Sequence, residues 1–204
     1  TQEAVRDFAE VIKGTVKRTL QSGDSTILLS HEEDGTPHIY LIKSSLNTIE
    51  TISTDSILPR DPDNVGDYLA LSDIALTCDG KLVGVNYLRC QYSDDQVDAG
   101  YKRGVKNFYI WDKLAGEARI WFTANDAANS YRSDAGYTLA VRGESKDCQV
   151  LVSSRHYNAT SGGGTFRYSC YTVTDGTPSY IFYGNAITLG EDPLLDGTRD
   201  GENV

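Results

Sequence analysis

The chain has 204 residues, with 29 Asp and Glu against 19 Lys and Arg and a formal net charge of −10. Nucleic-acid affinity comes largely from Lys and Arg neutralising phosphates, and here Lys102, Arg103 and Lys106 sit beside Asp94, Asp95 and Asp98, so a nucleic-acid partner is excluded and a neutral or cationic ligand fits better. No apolar run approaches the ~20 residues a helix needs to cross a bilayer, while 13 Tyr and 19 Gly suit strands joined by many turns.

Residues 1–13, TQEAVRDFAEVIK, place Val5, Phe8, Ala9 and Ile12 on one face before Gly14. That spacing predicts a short helix within a lead-in over residues 1–15. Beyond it the chain reads as strands. VKRTL (16–20) is followed by STILLSHEE (25–33), PHIYLIK (37–43) and TIETIS (48–53). A second group runs LSDIALT (71–77), KLVGVNYL (81–88), KNFYIWD (106–112) and ARIWFTA (118–124). A third runs YTLAVRG (137–143), CQVLVSSRH (148–156), FRYSCYTVT (166–174) and SYIFYG (179–184).

The groups repeat. Tyr40, Tyr109 and Tyr171 align, with Ile42, Trp111 and Val173 two residues on, and Ile49, Ala118 and Tyr180 nine residues on. Self-similarity at a fixed period marks a repeat architecture, and four up-and-down strands per unit match a β-propeller blade. The expected fold is therefore all-β: three four-stranded antiparallel blades within 16–186 (16–54, 71–124 and 137–184), then a tail over 187–204 that reads as a connection to a further blade. Because propellers close with 4–8 blades, further blades or a protein partner are expected to complete the ring. The chain begins at Thr1 and contains no Met, which reads as a mature form or a piece of a longer protein.

Up-and-down topology sorts the connections. Those within each hairpin are short: QSGD, SSLN, CDG, KLAGE, ESKD and DGTP. The long stretches, 55–70, 89–105, 125–136 and 157–165, all fall on the opposite end. Long connections on a rigid scaffold are disproportionately functional, although an end that merely tolerates insertion would look the same. In 89–105 the residues Arg89, Tyr92, Asp94, Asp95, Asp98 and Tyr101 set aromatic faces beside carboxylates and a guanidinium. Sugars are held by stacking on such faces while charged groups take the hydroxyls. Arg155, His156 and Tyr157, beside Gly162–Gly164, form a second candidate for ligand binding.

The remaining motifs carry less. His31 and His38 bracket acids in HEEDGTPH, a pattern that suits a metal ion or an ordinary hairpin turn. The Asp94, Asp95 and Asp98 spacing lacks the Gly and terminal Glu of a calcium loop. No phosphate-binding G-K-S/T and no nucleophile elbow occurs, so neither a metal nor a cofactor is expected. Four Cys (78, 90, 148 and 170) lack C-x-x-C spacing and read as mostly buried free thiols.

The stretches LSDIALTCDGKLVGVNYLRCQYSDD and NFYIWDKLAGEARIWF resemble propeller-like secreted or lipid-anchored surface proteins of Bacteroidetes, a family of unknown function. The resemblance implies a periplasmic or outer-surface location and a role in glycan capture, without catalytic residues to carry over. The expectation is a non-catalytic binding or scaffold module. Two alternatives stand beside it: a glycan hydrolase using Asp and Glu, and a purely structural protein–protein module.

Overall fold

The computed structural model describes residues 10–57, 69–88, 105–125, 132–157 and 164–187. Among them are twelve strands in three sheets. Sheet A comprises β1 (Thr15–Ser22), β2 (Ser25–His31), β3 (Pro37–Lys43) and β4 (Thr48–Ile52). Sheet B comprises β5 (Leu69–Leu76), β6 (Leu82–Leu88), β7 (Val105–Trp111) and β8 (Ala118–Asn125). Sheet C comprises β9 (Arg132–Glu144), β10 (Asp147–Tyr157), β11 (Gly164–Thr174) and β12 (Thr177–Ile187). Each is an antiparallel meander in chain order, and none closes on itself. Of the expected N-terminal helix, only Glu10 and Val11, both helical, fall among the described residues.

Register confirms the repeat and corrects one part of it. Ile42 pairs with Ile49 and Trp111 with Ala118, but Val173 pairs with Pro178 rather than Tyr180. The cause is the turn. Asp175 (φ 48°) and Gly176 (φ 77°) both adopt the left-handed region, which makes a two-residue hairpin loop that starts β12 at Thr177. Tyr180 instead stands opposite Tyr171, beside a bulge.

Sheet B is the middle layer. Its one face sends Leu71, Ile74, Leu82, Tyr109 and Trp111 onto Ile27, Leu29, Ile39, Leu41 and Ile52 of sheet A. The other sends Ala75, Val83, Val85, Phe108, Ile110 and Phe122 onto Leu139, Val141, Val150, Val152, Tyr171 and Val173 of sheet C. This is why FYIW in β7 shows no apolar–polar alternation: a strand covered on both faces is apolar at consecutive positions. Phe108 and Phe122 stack at 4.2 Å between centroids, and Tyr171 meets Phe108 edge-on at 5.4 Å. Each such fully buried side chain contributes about 1.5–3 kcal/mol relative to exposure.

The first strands converge: β5 lies against both β1 and β9. At this junction Arg18 of β1, 5 % exposed, approaches Asp73 of β5 at 3.6 Å and donates to the Leu139 carbonyl of β9 at 2.9 Å. The Leu139 N–H in turn donates to Asp73 Oδ2 at 2.9 Å. One ion pair thus ties the leading strand of all three sheets. Between sheets A and B, the Trp111 indole N–H donates to the Ser53 carbonyl at 3.0 Å, and the Ser56 hydroxyl donates to the Ala118 carbonyl.

Breaking a buried pair leaves one charge uncompensated, at a cost of about 3–5 kcal/mol. Asp73→Ala should therefore lower stability by that amount in urea denaturation, and adding Arg18→Met should recover part of the loss. At Gly84 a Cβ would stand 2.7 Å from Leu71 Cδ1 and 3.3 Å from Trp111 Cζ3. Gly84→Ala should cost about 1–3 kcal/mol through overpacking, read as a lowered midpoint with an unchanged denaturant slope.

Candidate functional site

The two ends of the sheets differ. At one, the hairpin turns run from two to six residues, and those of sheets B and C dock on each other. The Cys78 N–H donates to the Gly143 carbonyl at 2.8 Å, and Ser145 donates its N–H and hydroxyl to the two oxygens of Asp79 at 2.8 and 2.7 Å. Burial works to raise the Asp79 carboxyl. The Ser145 and Thr77 hydroxyls and the N–H groups of Ser145 and Asp79 outweigh it, holding the group at about 2.

From the other end leave the connections between sheets and those joining the second and third strand of each sheet. The His31 Nε2–H, at the close of β2, donates to the Leu71 carbonyl near the start of β5 at 2.7 Å, so this end of sheet A adjoins the same end of sheet B. Burial lowers His31 below 6.5, against the opposing pull of its bond to Leu71.

The sequence-predicted contact residues divide. Arg89, Tyr92, Asp94, Asp95 and Tyr101 lie outside the described residues, as do Asp98 and Cys90. Arg155 and His156 lie in β10, as the strand 148–156 predicts, and Tyr157, expected to open the connection, ends the same strand; Arg155 pairs with Phe166, His156 with Thr165 and Tyr157 with Gly164. Strands β9, β10 and β11 all run further toward this end than the apolar pattern indicates, which shortens the connections to 126–131 and 158–163.

A polar row at this end of sheet B escaped the sequence reading. Asn86, Asn107 and Thr123 are consecutive register partners across β6, β7 and β8. The Asn86 amide, 0 % exposed, donates to the Tyr109 hydroxyl at 3.1 Å, and the Thr123 hydroxyl donates to Asn107 Oδ1 at 2.9 Å. Asn86 Oδ1 has no hydrogen-bond partner. The available signal was two Asn inside otherwise apolar strands, where Asn is depleted. A row of amides and hydroxyls can hold a hydroxyl group or a water molecule.

The two histidines do not cooperate. His31 turns inward to Leu71, while His38 meets the Glu32 carboxylate and stacks on Tyr40 at 6.1 Å. No group of three or more His, Cys, Asp or Glu able to hold a metal ion stands among the described residues. Cys78, Cys148 and Cys170 are free. Cys148 lies in β10, which the two-residue turn Ser145–Lys146 starts at Asp147. Burial first, then the neighbouring Asp79, Asp147 and Cys78, push its thiol up to about 12.

No protein-family model matches the chain, and no curated protein matches it.

A carboxyl held below its unfolded value stabilises the fold above pH 3.8 and loses that contribution as pH falls toward 2. Urea midpoints measured across that window should fall for the parent protein, and the drop should be shallower for Asp79→Ala. His31, also lowered, adds an earlier loss beginning as pH drops below 6.5. Iodoacetamide at pH 8 should label the exposed Cys78 and leave Cys148 unmodified until denaturant is added, as read by peptide mass spectrometry.

Proposed function

We propose that this chain is a propeller-type, non-catalytic binding or scaffold module that takes a glycan at the end from which its longer connections leave. Each meander sheet acts as a blade, with β1, β5 and β9 as the inner strands. The carrying observation is the segregation of the two ends: turns of six residues or fewer at one, and the sixteen-residue connections 53–68 and 89–104 at the other. A rigid stack with variable chain at one end is the usual arrangement for binding.

The ligand class follows from residue chemistry. Aromatic and charged residues in 89–105, together with Arg155 and Tyr157 at the end of β10, suit a hydroxyl-rich, uncharged partner. The acidic balance of the chain fits such a ligand better than a polyanion. A surface or periplasmic location belongs to the same proposal and rests on the resemblance to Bacteroidetes surface proteins.

Calorimetry against a panel of host and dietary polysaccharides tests it. At least one should bind. Tyr157→Ala should then weaken binding by about two- to tenfold, the worth of an aromatic face. Arg155→Ala should weaken it by about ten- to a hundredfold, the worth of hydrogen bonds from a charged group. Binding to no member of the panel, or binding untouched by both substitutions, would remove the proposal.

A further inference from the structure

Equivalent residues recur on equivalent faces of the three sheets, and they expose what is different about the outermost two. Toward the sheet that follows it, sheet A presents the register row Leu20, Ile27 and Leu41, and sheet B the row Ala75, Val83 and Ile110. Sheet C has Arg142, Gln149, Thr172 and Ser179 in the matching row, and Arg142, Gln149 and Ser179 are exposed.

Toward the sheet that precedes it, sheet B presents Tyr109 and sheet C presents Tyr171, each buried against its neighbour. The matching residue of sheet A is Tyr40, 3 % exposed although no sheet stands before it among the described residues. What covers it is the lead-in. The Lys13 N–H donates to the Tyr40 hydroxyl at 3.0 Å, and the Lys13 carbonyl accepts from the Ser30 hydroxyl at 2.6 Å. Gly14, at φ +73°, beds on the backbone of β2 so closely that a Cβ would stand 2.2 Å from the His31 carbonyl oxygen. Only glycine reaches that conformation and that distance without strain.

We infer that the segment 10–14 is an end cap: it fills the position of a preceding sheet and stops copies of this chain from stacking head to tail, sheet C of one on sheet A of the next. Such a contact joins two different surfaces, so it has no built-in stop and would propagate into rings or filaments. Stacked repeats need finished terminal faces for this reason. The outer face of sheet C also holds a buried apolar row, Ala140, Leu151 and Cys170, and the exposed polar row beside it is the second barrier, because a docked copy would bury Arg142 without a partner.

The test uses the full chain with two independent ways of uncapping. Gly14→Val forbids the seat on His31. Ser30→Ala with Tyr40→Phe removes both hydrogen bonds to Lys13 and keeps the apolar bulk, which guards against a Gly14 variant that fails to fold. Trypsin cleavage after Lys13 should accelerate at least about tenfold in each, as expected from losing two hydrogen bonds of about 1 kcal/mol. With Arg142→Ile and Gln149→Val added, sedimentation velocity should show dimers and larger species that rise with concentration, while the parent protein stays monomeric. Unchanged cleavage in both uncapped variants would overturn the cap. So would a monomeric combined variant whose Lys13 site is cleaved quickly, or head-to-tail association of the parent protein.

Discussion

A guanidinium and a carboxylate buried together impose a strict condition, since neither tolerates the interior alone. Arg18 and Asp73 occupy the same repeat position, in sheets A and B respectively, and the third member of that position is Ala140. The pair is completed by the backbone of Leu139, which accepts from Arg18 and donates to Asp73. Because both side chains are short of water, β1, β5 and β9 must meet at this point. The remaining strands of each sheet are then added outward from it, and the hairpin turns of sheets B and C are brought onto one end together.

Stacking three sheets creates one interior layer and two outer ones, and the side chains divide accordingly. Sheet B is apolar on both faces and contributes Trp111, Tyr109 and Phe108, the largest fully buried side chains. Sheets A and C are apolar mainly on the face turned to B. On the far side of sheet C an exposed polar row at Arg142 and Gln149 runs beside a buried apolar one at Ala140, Leu151 and Cys170, and the lead-in lies on the far side of sheet A. Large apolar residues left exposed among those described are scattered singly, at Val11, Val16, Leu46 and Ile120, rather than gathered into the adhesive open face that three uncapped blades would present.

Much of this was legible in the residues themselves. All twelve strands follow from apolar and β-favouring runs bounded by turn residues, and β3 is bounded by the same residues in sequence and structure. Where the reading slipped, a turn was misjudged. DGTP reads as the loop, yet only Asp175 and Gly176 form it, which displaces Tyr180 by two positions. Likewise ESKD contracts to Ser145–Lys146 and draws Glu144 and Asp147 into strands. Strands β9 to β11 outrun their apolar pattern because ladder pairing continues there, as at His156 with Ser133 and Thr165, whatever the side chains. That places Tyr157 in β10 beside Arg155 and His156 rather than in the connection.

By itself the sequence determined strand number, order and repeat, because backbone pleating imposes a period of two that short-range composition reports. It also marked the end of the molecule that carries the longer connections, since alternating strand direction follows from counting. Only the tertiary structure decided which polar groups meet: Arg18 with Asp73 and Leu139, Asn86 with Tyr109, Asp79 with Ser145, and Lys13 with Tyr40 and Ser30. The first and third of these sets become neighbours only when sheets stack, Asn86 and Tyr109 only when β6 pairs with β7, and Lys13 only when the lead-in folds back on sheet A. Local periodicity says which face a side chain takes but holds no record of what is packed against it.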